Sequence, residues 1–132
     1  MSGLIGGTIG QRTIREMLAV VETGEDETLW SFEASDTGLG VTHHRSDPQA
    51  VTTWEDGRRA GVVYGAITNL DELGLAKEDL FERVLDRPVE AAAAVEGSFV
   101  VAVVDATADR TVVFTDKLGA RPCYYSTDGP LV

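Results

Sequence analysis

The sequence predicts an α+β fold, and three observations predict it. Phe99 to Val104 is an unbroken apolar run of Phe, Val, Val, Ala, Val and Val, the mark of a strand buried on both faces. Thr111 to Thr115 is a second, β-branched run, set off by the polar stretch Asp105–Arg110, which has the length of a hairpin loop. Upstream, strand-like alternation gives way to helical periodicity before this hairpin, so helices must cover the sheet.

Taken in order, Gly3–Gly10 is a short glycine-rich apolar opening that reads as a strand and a turn. No strand precedes it and its glycines are wrongly spaced, so it is not a dinucleotide fingerprint. Thr13–Thr23 is a helix: Thr13 and Glu16 form a capping box, Ile14, Met17, Leu18 and Val21 make one apolar stripe, and Gly24 suits the stop. Thr28–Ser35 alternates, with Trp30, Phe32 and Ala34 on one face of a half-buried strand. Gly38–His44, Ala50–Trp54 and Ala60–Ile67 are further strands, with Glu55-Asp56-Gly57 as a hairpin turn. Glu78–Leu85 is a helix that turns Leu80, Phe81, Val84 and Leu85 inward. Pro88–Val95 is another, with proline in its first turn and four alanines. After the second run, Asp116–Pro122 is a shaped turn containing Gly119, and Tyr124 and Tyr125 return to strand composition.

At 132 residues the chain is long enough for one domain with a sizeable core. It carries 22 acidic and 11 basic side chains, a net charge of −11, and only two of the basic residues, Lys77 and Lys117, are lysines. Such a surface repels nucleic acid and anionic membrane. Excess carboxylate with scarce lysine fits a high-salt, halophilic cytoplasm, where screening removes self-repulsion. The single cysteine, Cys123, excludes an intramolecular disulfide and a cysteine-rich metal site. It reads as a small buried apolar residue. No run approaches the ~20 apolar residues of a membrane span, and the start lacks a signal-peptide pattern, so the cytoplasm is the expected compartment. Adjacent histidines on a strand face opposite sides, so His43 and His44 make a poor metal pair.

The stretch from Glu96-Gly97-Ser98-Phe99 through Asp116, Gly119, Pro122, Tyr124 and Tyr125 resembles the hairpin and "R-D-x-x-G-x-x-P-x-Y-Y" turn of the glutaminase domain of asparagine synthetase-like proteins, class II glutamine amidotransferases of the N-terminal nucleophile hydrolase superfamily. Val63–Leu73 is similar to the family's "F-N-G-E-I-Y-N-Y-x-E-L", matching at Gly65, Ile67, Asn69, Glu72 and Leu73. The resemblance implies an αββα sandwich. The family domain continues past this turn, so residues 1–132 would be a single amidotransferase-like domain, fragmentary or shortened.

The resemblance also implies where the site lies. The nucleophile would be Ser2, standing for the family's cysteine, with its free α-amine as base once Met1 is removed. The bland reading of Ser2 is a small residue at a chain terminus. The oxyanion asparagine is replaced by Tyr64, while the backbone N–H of Gly65 remains as a donor. Gly38–Arg45 is similar to the family's "L-G-H-x-R" strand, whose arginine holds the glutamine carboxylate. His43 falls at that position, and Arg45, two residues on and on the same side of the strand, is the substitute. Asn69 and Asp79 are the remaining substrate-binding candidates, with Lys77 beside Asp79. The plainer reading of Asn69 is turn stabilisation, and that of Asp116 is a structural acceptor of turn N–H groups paired with Arg121. All four groups that make the family a glutaminase are altered: nucleophile, oxyanion asparagine, carboxylate arginine and amine aspartate. The resemblance therefore implies a domain with glutamine hydrolysis reduced or lost, packing against, dimerising with or regulating a synthetase domain, with no cofactor and no metal. The alternative is an active amidohydrolase that uses Ser2 to release ammonia from glutamine or another small amide.

Overall fold

Faces are decided by alternation, and the pairing register shows how. The computed structural model describes residues 3–8, 14, 16, 27–44, 46, 50–119 and 121. Strands β1 (Gly3–Thr8), β2 (Glu27–Ala34) and β3 (Thr37–His44) form one antiparallel sheet in the order β1-β3-β2. Strands β4 (Val51–Asp56), β5 (Arg59–Ile67), β6 (Gly97–Asp105) and β7 (Arg110–Thr115) form a second, also antiparallel, in chain order. Between β5 and β6 run a single helical turn, α1 (Leu70–Leu73), and the helices α2 (Lys77–Asp86) and α3 (Pro88–Ala94). The fold is therefore mixed α+β. Among the described residues no helix is long and apolar enough to cross a membrane.

The inward side chains of the first sheet, Trp30, Phe32, Leu39 and Val41, meet Ala60, Val62, Ala102 and Val104 of the second in one apolar cluster. The opposite face of the second sheet presents Val63, Phe99, Val101 and Val103 to Leu80, Phe81, Val84 and Leu85 of α2 and to Ala91 and Val95. Every residue from Phe99 to Val104 is buried, because apolar material covers both sides of β6. Thr37 to Thr42 on β3 are buried as well. Ile14 is helical and buried, and its N–H donates to the Glu33 carboxylate on the outer face of β2.

Among the described residues the expected strands and the helices of residues 78–95 are present. Glu16 is helical too, and the other residues of the helix expected over Thr13–Thr23 lie outside the described residues, as do Cys123, Tyr124 and Tyr125. One turn differs. Glu55 and Asp56 remain in β4, and the reversal is Gly57-Arg58, because Asp56 pairs with Arg59 across the strands and takes its guanidinium. Hydrogen bonding to Asp56 also raises the Arg59 guanidinium above its ordinary pKa. The β6–β7 loop closes as the sequence suggests, with Asp105 Oδ1 accepting the N–H groups of Thr107 at 2.9 Å and Ala108 at 3.3 Å.

Candidate functional site

One contact fixes how the two sheets face each other end to end. Arg58, in the β4–β5 turn, donates to the Ser35 hydroxyl in the β2–β3 turn at 2.6 Å. Both hairpin turns thus lie at one end of the sandwich. The strands run from there toward the other end, carrying His43 and Tyr64 roughly 20–26 Å along them. Gly3, at the start of β1, pairs with Thr42 and so lies at that same far end. Val100 pairs with both Tyr64 and Thr115, which brings the turn after β7 there as well.

This end is built by local backbone chemistry. Gly65 has φ +106°, and a Cβ there would fall 2.2 Å from the Ser98 carbonyl oxygen and 3.1 Å from Arg121 Nε. Only glycine allows that conformation and that approach. Asp116 is buried and organises the turn: Oδ2 accepts the Phe99 N–H at 3.1 Å and Oδ1 that of Leu118 at 3.0 Å. Gly119 closes the turn at φ +61°, its N–H reaching the Asp116 carbonyl at 3.1 Å. The expected role of Asp116 as a turn acceptor is present. Its expected pairing with Arg121 is replaced: the Arg121 guanidinium carbon lies 5.0 Å from the Tyr64 ring centroid. Arg121 Nε is buried without a hydrogen-bond partner, as is His43 Nδ1.

Of the expected site residues, His43, Tyr64 and Gly65 therefore share one end of the sandwich. His43 and Tyr64 point between the sheets, on the faces of Leu39 and Val62. Ser2 and Arg45 lie outside the described residues. Asn69 is a structural tie. Its Nδ2 donates to the Ala94 carbonyl at 2.8 Å and its Oδ1 accepts the Glu96 N–H at 2.9 Å, clamping the start of α1 to the α3–β6 connection. Replacing Asn69 with Ala leaves both backbone groups without that partner, and a loss of about 2 kcal/mol in urea unfolding is expected, with the far-UV spectrum unchanged. Asp79 is in the first turn of α2, on the helix side of the second sheet. It lines a groove of about 920 Å³ with Arg59, Glu82, Arg83 and Glu90, apart from His43 and Tyr64. Lys77 lines a smaller groove of about 420 Å³ beside Gly65, Ile67 and Phe81.

Arg121 is the residue that sequence reasoning passed over. Expected to pair with Asp116, its guanidinium lies over the Tyr64 ring instead. Among the described residues no group of three or more His, Cys, Asp or Glu side chains could hold a metal ion. Chemically, this end places a guanidinium with a buried Nε against an aromatic ring. Comparison with family models, with curated proteins and with solved structures gives no match for this chain.

Proposed function

We propose that the chain is the amidotransferase-like domain of an asparagine synthetase-related protein, with glutamine hydrolysis reduced or absent. It serves as a structural or regulatory module for a synthetase domain or a second copy, in a salty cytoplasm. The observation that carries this reading is that the start of β1 lies at the same end of a two-sheet sandwich as Tyr64 and Gly65. An N-terminal nucleophile would sit there against the oxyanion donors. The layers agree with an αββα sandwich: α2 and α3 flank the second sheet, and helical Ile14 is tied to the outer face of the first. Tyr64 in the asparagine position, its ring beneath a guanidinium, supports loss of the reaction and not its refinement.

Restoring the missing groups tests the assignment. The double variant Ser2→Cys, Tyr64→Asn, freed of Met1, is expected to release ammonia from glutamine faster than the native chain. A variant with native circular dichroism and no gain speaks against it. The alternative, a serine amidohydrolase, is favoured by the small residue at position 2, which suits methionine removal; it requires an intact mass lacking Met1.

A further inference from the structure

The groove of about 920 Å³ runs over α2, α3 and the loop of residues 73–75. Its floor is apolar: Leu73, Leu75, Leu80, Ala91, Ala94 and Val95. Its walls are charged, and most of those charges are matched within the chain. Arg59 pairs with Asp56 and Glu82, and Arg87 with Asp86 and Glu90. Asp79 and Arg83 stand apart from these. Both are exposed, four residues apart on α2, and among the described residues neither makes an ion pair.

An acid followed one turn later by a base, on one face of a helix, is its own complement under a two-fold axis. Where two copies of α2 run antiparallel, with the axis level with Phe81, Asp79 faces Arg83 of the second copy and Arg83 faces Asp79 of the second copy. The two residues are ~6 Å apart along the helix in each copy, so both pairs form in one register. That register sets Asp86 opposite Ala76, and no two carboxylates meet along this stripe. It also carries residues 73–75 of the second copy toward Val89 on α3, which is 81% exposed. An exposed ion pair contributes little by itself. Burial of the apolar floor supplies the attraction, and the charges fix the register.

We propose that the groove over α2 and α3 is the interface through which two copies of this chain associate, with reciprocal Asp79–Arg83 pairs at its centre. The proposal rests on the module reading above for its role, and on no chemistry at Ser2.

The test is sedimentation velocity of the full chain at about 0.15 M salt, where charges more than ~8 Å apart are screened and only close pairs count. The native chain is expected to dimerise with a Kd roughly in the micromolar range. Asp79→Arg and Arg83→Asp each set like charges against one another across the axis, and each should weaken self-association by roughly tenfold or more. An equal mixture of the two variants should associate again, because a dimer of one with the other regains both pairs. Both positions are exposed, so native circular dichroism is expected of each variant. If either does not fold, Asp79→Asn and Arg83→Gln carry the test; they remove the pairs without adding repulsion and should weaken the dimer by roughly threefold or more. A native chain that stays monomeric up to about 1 mM overturns the proposal. So does a dimer indifferent to these substitutions, which would place another face at the interface, or a mixture of the two reversals that fails to associate. Ammonia is not the readout, so failure here leaves the amidotransferase-like assignment standing, and failure of that assignment leaves the dimer intact.

Discussion

Gly65→Ala is expected to destabilise the protein by about 3 kcal/mol or more, among the larger losses a single methyl can cause. Two costs combine. A φ of +106° is a region that residues with a Cβ rarely enter. The added carbon would also sit 2.2 Å from the Ser98 oxygen and 3.0 Å from Phe99 Cα, both backbone atoms of the paired strand. Relief therefore needs β5 and β6 to part at the point where Tyr64 and Arg121 are positioned. A fall in the urea midpoint with little change in slope is the expected signature. A loss below about 1 kcal/mol would mean that this backbone relaxes freely and does not fix the site.

Phe81→Ala is expected to cost about 3–5 kcal/mol and to lower the melting temperature by on the order of 10 °C or more. Phe81 is fully buried, and its ring stacks on Trp54 with centroids 5.5 Å apart. It can lie this close to the sheet because β5 has glycine beneath it: a Cβ at Gly61 would fall 2.2 Å from Phe81 Cδ1. Removing the ring opens a cavity between α2 and the sheet that the rigid strands cannot collapse to fill. Thermal unfolding followed by tryptophan fluorescence checks this directly, since Trp54 loses its stacking partner. A shift of only a degree or two would show that α2 contributes little to the core.

Much of the architecture was legible because burial writes a period into the chain. Trp30, Phe32 and Ala34 alternate and do face the second sheet, and Phe99–Val104 lacks alternation because both its faces are covered. The helix α1 was not legible: four residues with no buried side chain carry no periodicity, and the turn exists because Gly74 and the Asn69 clamp close it. The β4–β5 reversal was displaced because a charged pair, Asp56 with Arg59, extends the ladder where composition suggested a loop. At the candidate site, the common end of His43, Tyr64 and Gly65 followed from strand order and register, and needed the Arg58–Ser35 contact to be seen. Arg121 was missed because its partner is chosen by turn geometry over a distance that spacing along the chain does not encode.

The measurement that tests the central claim most directly is ammonia release from glutamine by the native chain at high salt, alongside its Ser2→Ala variant and the intact mass of each. Ammonia at or near the buffer background, unchanged by Ser2→Ala, is the expected result. Turnover by a chain lacking Met1 that Ser2→Ala abolishes would contradict it and establish the serine amidohydrolase in its place.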